Sequence, residues 1–467
     1  MQKYVTVFAL SLGLTLGGTS AISSIAIAHD NHSHYDHELL PGLDKQQIRF
    51  ADIEPLIKRV QRSDIISTEQ VGTSYEGRPI YRFKAGQGDT VVFMWSQMHG
   101  DESTATPALF DLMHKIETDE KWRQRWADAI TLYMLPMLNP DGAERAQRYN
   151  VQGIDVNRDA RALQTPEGRV LMEQGKTLKP DFGFNLHDQS RYYEVAHTGK
   201  PATISLLAPA FNEAKDINES RGRAMQLIGA MKKVGDALIP GHMGRYNDTF
   251  APRAFGDNFS KMGISTILIE SGAFPNDPNR QKAREVNVAM LVKALESIAN
   301  KDYEKQTLEP YHSIPMNNSN SFKDVIFDQV QVQDDEHSYR IDIGFNRSGS
   351  AAETTGYIRE VGDLEPFPAF DRYDGSNYVY APGKAYTIPS EGLKLSHHEY
   401  LDLVKQGYSH FIGDADALTV RTHLPVVVNP RNLPGSRPQQ RDNATFLLMQ
   451  QDEVAVAVLS GVVLQLR

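Results

Sequence analysis

His99 and Glu102 stand three residues apart in Met98-His99-Gly100-Asp101-Glu102. An imidazole and a carboxylate at that spacing chelate one metal ion when the local turn points both inward, and such a pair suits a catalytic zinc. The spacing alone is weak. With 15 His in the chain, about one His-x-x-Glu pair arises by chance, and a second copy, His114-Lys115-Ile116-Glu117, is present. That copy lies in an amphipathic pattern over 104–120, with Ala108, Leu109, Leu112, Met113 and Ile116 as its apolar positions. It therefore reads as a solvated pair on the polar side of a helix. The first copy follows the apolar run 91–95, and α/β sheets build their sites at such strand ends.

A metal needs a third ligand. His187, at the end of Phe182-Gly183-Phe184-Asn185-Leu186-His187-Asp188, is the best placed. His197 is its rival, in a polar, turn-rich stretch with no strand to aim it. The chain has no cysteine, so His, Asp or Glu must hold any metal. Two His and one Glu leave a fourth zinc position for water, whose pKa the metal would lower toward ~7. A general base must then lie within reach. Glu270 follows the apolar run 266–269 and precedes Ser271-Gly272, so a buried strand delivers a carboxylate to the sheet edge. A charge there is costly unless used or paired; an ion network is the plainer alternative.

Asn139-Pro140-Asp141-Gly142 is a turn sequence after the strand-like 130–135. Arg148-Tyr149-Asn150 and Gly153-Ile154-Asp155-Val156-Asn157-Arg158 follow. Two arginines and an asparagine near a metal suggest anion capture, one arginine serving a developing oxyanion and the other a substrate carboxylate through a bidentate pair.

Taken in order, these motifs resemble the zinc carboxypeptidases of the carboxypeptidase A type, as does the upstream stretch Val71-Gly72-Thr73-Ser74-Tyr75-Glu76-Gly77-Arg78-Pro79-Ile80-Tyr81. The resemblance covers roughly 45–300. It implies that His99, Glu102 and His187 bind one Zn2+ per chain and that Glu270 is the base that activates water and passes a proton to the leaving amine. It further implies that Arg148 serves the oxyanion and that Asn157 and Arg158 grip a free C-terminal carboxylate. Asp155 would be the partner that fixes the first His ligand, a role that suits second-sphere carboxylates. Asp101 departs from the arginine that many members carry between the first two ligands. Tyr246 is the nearest match to the family's mobile tyrosine. Arg253 and Phe255 lie in the segment expected to set side-chain preference, which leaves acidic and apolar preferences both open.

The elements that would position these residues form an α/β pattern. Stretches 90–95, 130–135, 182–186 and 266–269 read as buried strands, with helices at 104–120, 222–238 and 284–298. That alternation predicts a mostly parallel sheet with helices on both faces; the resemblance implies a carboxypeptidase-like mixed sheet, forming a catalytic domain over 45–305. Residues 306–321 carry Pro310, Pro315 and an Asn/Ser run and read as a linker. Residues 322–467 are β-rich, with candidate strands at 325–332, 339–345, 356–361 and 454–466 and a helix near 397–406. A small β-sandwich or barrel serving as an accessory domain is expected there.

Residues 1–28 have the form of a signal peptide, with Lys3 ahead of an apolar centre and Ala26-Ile27-Ala28 as the cleavage site. A periplasmic or secreted location follows as an expectation. A His-rich segment over 29–44 holds His29, His32, His34 and His37 and reads as a polar N-terminus or a metal-gathering tract. No other run reaches the ~20 apolar residues that spanning a membrane requires. A formal net charge of −10 gives no support for nucleic-acid binding. The leading expectation is a secreted zinc exopeptidase acting on peptides with a free C-terminal carboxylate. A zinc amidase for cell-wall stem peptides or N-acyl amino acids, and a non-catalytic binding module, are the alternatives.

Overall fold

The apolar runs form the parallel centre of an eight-stranded sheet. In chain order its strands are β1 (Ser67–Thr73), β2 (Pro79–Ala85), β3 (Thr90–Ser96), β4 (Ile130–Leu135), β5 (Phe182–Asp188), β7 (Ile204–Leu207), β8 (Met243–Arg245) and β9 (Ser265–Ser271); a short β6 (Glu194–Val195) lies outside it. The spatial order is β1-β2-β4-β3-β5-β9-β7-β8. Strands β4, β3, β5 and β9 run parallel, while β1 and β2 on one flank, and β7 against β9, pair antiparallel. The computed structural model describes residues 39–319, 321–334, 337–349 and 351–467. The signal-peptide reading and the histidines of the 29–44 segment lie outside the described residues.

Both faces of the central strands are covered, which is why they read as unbroken apolar runs rather than as alternation. Phe93 and Trp95 pack with Leu171, Phe255 and Phe259, from helices Pro166–Leu178 and Phe255–Lys261. Helices Ala105–Thr118, Glu219–Leu238 and Gln281–Ala299 cover the other face, packing on one another and on β5, β7 and β9. The chain passes from β3 to β4 on one side, while β5 and β9 lie on the other, so the β3/β5 boundary is a switch point where a crevice opens at the carboxyl ends.

The C-terminal region is a second, mostly antiparallel sheet. Strands Lys323–Gln333, Ser338–Ser348 and Thr355–Gly362 form one meander, and Phe446–Gln450, Glu453–Leu459 and Val462–Gln465 another, joined through Val379–Ala381. The sheet curls strongly: Tyr357 on one edge bridges to Asn443 beside the other meander. The stretch 454–466, expected as one strand, is a hairpin instead. Ser460 and Gly461 both take positive φ (47° and 87°), the geometry of a tight two-residue hairpin turn. The apolar run hid it because Glu453–Leu459 buries both faces, Val456 and Val458 in one core and Ala457 and Leu459 in another. The segment 306–321, expected as a linker, is docked. Helix Glu309–His312 buries Tyr311, the Arg245 amide donates to the Pro315 carbonyl (2.7 Å), and Asn317–Asn318 pairs with β6.

Candidate metal centre

Three sequence-distant side chains meet where β3 and β5 end. The Nδ1 of His99 lies 2.7 Å from one oxygen of Glu102, and the Nδ1 of His187 lies 2.6 Å from the other. One ligand atom from each of the three lies within 4.8 Å of the others. The far nitrogens are turned outward, His99 Nε2 to Asp155 (3.1 Å) and His187 Nε2 toward the amide of Asn157 (3.5 Å). Two imidazoles and a carboxylate with their inner atoms convergent are the donor set of a catalytic zinc. An outer carboxylate on one imidazole is the usual device for fixing ring orientation. The residues therefore fit the ion.

The sequence explains how this corner is held. Directly after β3, Gln97 adopts a left-handed backbone (φ 51°), reversing the chain toward the site. Such strain persists only where the surroundings fix it. Here the buried Gln97 amide donates to the carbonyls of Ile48 (2.8 Å) and Gly100 (3.0 Å). Gly100 sits against the Asn139–Gly142 turn so closely that a Cβ would come within 1.9 Å of the Gly142 carbonyl carbon. Asn139 caps that turn by accepting from the Gly142 amide and donates to the Met98 carbonyl. Asp141, fully buried, accepts from Ser74, Arg78 and the Glu76 amide. The turn motif and the upstream 71–81 stretch thus brace the metal loop.

Glu270 on β9 stands directly opposite His187 on β5 in parallel register. Burial, then the charge of Glu102, pushes its carboxyl well above the usual carboxylate range. For Glu102 burial acts upward, but His99 and His187 outweigh it and hold the carboxyl well below that range. His99, despite burial, is lifted to about 9 by Glu102 and Asp155. Arg148 bridges Glu102 (3.1 Å) and Asp155 (3.0 Å). Arg158 is exposed and donates to the Asn157 carbonyl. The side-chain oxygen of Asn157 accepts from the Phe255 amide (2.9 Å), so this residue also ties the site to the helix beneath.

All of the proposed site residues except Asp155 line one cavity of about 640 Å³, while Asp155 sits behind His99. Tyr246 lies on its wall, its hydroxyl 3.2 Å from that of Tyr193. The rival His197 is exposed on the loop after β6 and stands outside the cluster. Phe255 is buried in the core and Arg253 is absent from the cavity wall. Sequence reasoning missed Asp188, Tyr193 and Asp257 on the wall. Asp188 accepts from the Thr104 amide and hydroxyl and pairs with Arg280 (3.2 Å). Its place one residue after a candidate ligand was a usable signal; nothing local marks Tyr193 or Asp257.

Residues 53–190 of this chain match the Peptidase_M14 family model, described as Zinc carboxypeptidase. The match contains all three candidate ligands and both arginines, whereas Glu270 and Tyr246 lie beyond it. "Probable carboxypeptidase 2" of Trichophyton verrucosum is 24% identical over 242 residues, covering 48% of this chain and 44% of that protein. "Carboxypeptidase 2" of Trichophyton rubrum is 23% identical over 240 residues, covering 48% and 42%. The chain thus spans less than half the length of these curated relatives. Similar solved structures include a carboxypeptidase A from Helicoverpa armigera (17% identity, TM-score 0.46, covering 56% of this chain and 75% of that one). Another is a metallo-carboxypeptidase from Burkholderia cenocepacia (17% identity, TM-score 0.45, covering 56% and 71%). Among the described residues no helix is long and apolar enough to cross a membrane.

Proposed function

We propose that this chain is a secreted or periplasmic zinc metallocarboxypeptidase that removes C-terminal residues from peptides. The observation that carries the reading is the convergence of His99, Glu102 and His187 beside a buried Glu270, in one cavity that also presents Arg148 and Arg158. One zinc per chain, when bound, supplies a Lewis acid that makes a water acidic and polarises the scissile carbonyl.

The chain's own residues do the rest. Glu270 accepts the proton of the attacking water as its oxygen bonds to the carbonyl carbon. It then gives that proton to the amine nitrogen as the C–N bond breaks. Burial raises its basicity above that of an ordinary carboxylate, the direction a general base requires. Arg148, held by Asp155 and Glu102, faces the negative charge that builds on the carbonyl oxygen. Arg158 has donors free beyond its single bond to the Asn157 carbonyl, and these take the substrate's terminal carboxylate. The Asn157 amide has two N–H groups; one faces His187, leaving the other for that carboxylate. Tyr246 closes the wall over the bound residue.

The purified protein should bind about one zinc and release free amino acids from ordinary peptides but not from C-terminally amidated ones. Equal turnover of amidated peptides would overturn the carboxylate grip. Cleavage confined to murein stem peptides or N-acyl amino acids would move the protein to the amidase reading. Binding of peptides without turnover by the zinc-loaded protein would make it a binding module.

A further inference from the structure

We propose that a second cavity, between the C-terminal sheet and the loop after β5, binds carboxylate side chains in the upstream part of an acidic peptide substrate. It measures about 450 Å³ and is lined by Lys323, Arg347 and Arg359, with Glu360 as its acid and Tyr192 and Tyr357 among its walls. The cations are poorly matched. Lys323 is only 4% exposed, yet its ammonium meets the Ser321 carbonyl at 3.4 Å and the face of Phe367 at 4.2 Å, with no carboxylate at ion-pair distance among the described residues. The Arg347 guanidinium pairs only loosely, with Asp371 at 3.9 Å. The Arg359 guanidinium makes no hydrogen bond or ion pair among the described residues; the residue is engaged through its backbone carbonyl, which accepts from Gln440.

A buried ammonium is costly when its one counter-charge, here Glu360, stands beyond ion-pair distance. Guanidinium groups with free donors are shaped for carboxylates. The chain as a whole is acidic, at −10, whereas this cavity carries three cations against one acid.

Its position selects a substrate rather than a free solute. Tyr192 forms one wall, its hydroxyl donating to Asp324 (2.8 Å) and lying 3.1 Å from the Arg347 carbonyl. The next residue, Tyr193, lines the metal cavity and meets Tyr246. Consecutive Cα atoms are about 3.8 Å apart, so the two cavities are lined by adjacent residues of one loop. A peptide with its terminus at Arg158 and acidic residues further back could occupy both. This placement rests on the carboxypeptidase reading, whereas the preference for carboxylates does not.

The test uses the full chain loaded with zinc. A fluorescent, C-terminally amidated peptide carrying several Glu, and its Gln counterpart, are titrated and read by anisotropy. The Glu peptide should bind about tenfold more tightly, as expected for new charge-assisted hydrogen bonds. The Arg347→Ala/Arg359→Ala double variant should abolish the difference while keeping the melting temperature and the turnover of a short neutral substrate. With cleavable peptides, KM should fall for the Glu series with kcat unchanged, again only in the unsubstituted protein. Equal binding of the two peptides, or a difference that survives the double substitution, would overturn the proposal. Displacement of the Glu peptide by succinate, with identical KM values for Glu and Gln substrates, would assign the cavity to a free dicarboxylate and equally overturn it. If nothing is hydrolysed, the carboxypeptidase reading fails while the anisotropy comparison still decides the cavity.

Discussion

In the first sheet, His187 on β5 and Glu270 on β9 lie side by side, and His99 and Glu102 join them from the end of β3. In the second sheet, the buried acids Asp324 and Asp342 are spent on structural partners, Asp324 also pairing with Arg191 at 3.0 Å. Asp342 accepts from the Gln329 and Leu364 amides, and Asp324 accepts from the Arg347 amide and the Tyr192 hydroxyl. Both sheets hide charge, with opposite consequences. A carboxylate held by amides, a hydroxyl or an arginine away from an open strand end is a structural pin. A carboxylate packed against other ionisable groups at an open strand end is chemically available. Burial alone therefore does not mark function; the identity of the partners does.

The sharpest way to break this contrast is Glu270→Gln. The amide keeps the shape and removes the proton acceptor, so kcat should fall by about 10²–10⁴-fold. The melting temperature should not drop, because a neutral amide replaces a carboxyl that burial already disfavours in its charged form. Zinc content measured by atomic emission should be unchanged. Retained turnover would remove Glu270 from the chemistry.

The mirror experiment is Asp324→Ala in the second sheet. It strips a partner from the Arg347 amide, from the Tyr192 hydroxyl and from Arg191, 3.0 Å away. Stability should fall by about 2–4 kcal/mol in urea titration, the cost of orphaned buried donors and a broken buried pair. Zinc stoichiometry should stay the same. Loss of zinc would mean that the two halves are not separable in the way their partners suggest.

Asp257 lies between these extremes, on the cavity wall but with the Ala251 amide as its partner at 2.8 Å. Burial pushes its carboxyl up to about 6. An acid whose folded pKa is raised favours the folded state while protonated. That contribution is complete below about pH 4 and disappears as pH rises through about 6. Asp257→Asn keeps the acceptor and never ionises. It should therefore match the parent near pH 4 and exceed it by about 1–3 kcal/mol at pH 7.5. Urea midpoints at the two pH values read this directly, and a parent advantage at pH 7.5 would show that the charge is compensated by groups facing the cavity.

How much of this was visible in the chain follows the same divide. The central strands and three long helices could be read because apolar runs and 3.6-residue periodicity are local; helix Glu219–Leu238, for example, begins three residues before the pattern at 222–238. The three candidate ligands and Glu270 could be picked out because each ends or follows such a run. Tyr193 and Asp257 were not, since their place on the wall depends on how the loop after β5 and helix Phe255–Lys261 pack. The hairpin at Ser460-Gly461 was missed because burial on both faces erases the alternation that marks a strand's end. The docking of 306–321 was hidden by a Pro- and Asn-rich composition that reads as solvent-facing, while its anchors are backbone bonds and the single side chain of Tyr311.

The smallest effect is the most discriminating for where the site belongs. His197 follows β6, the strand that pairs with Asn317–Asn318, and the neighbouring Ala196 amide donates to the Met316 carbonyl at 2.8 Å. It therefore sits in the region that docks the second half of the chain, and its ring is exposed. His187, ten residues earlier, is 3% exposed and faces Glu102. Only His187 directly ends the apolar run 182–186; His197 stands in the polar stretch beyond it. His187→Ala should abolish zinc retention after dialysis. His197→Ala should leave zinc content unchanged and kcat/KM within about twofold, as expected of a surface substitution. If His197→Ala released the metal instead, the docking region would be part of the centre. Ligation would then have moved off the strand ends, and the division between a chemical sheet and a structural one would fall with it.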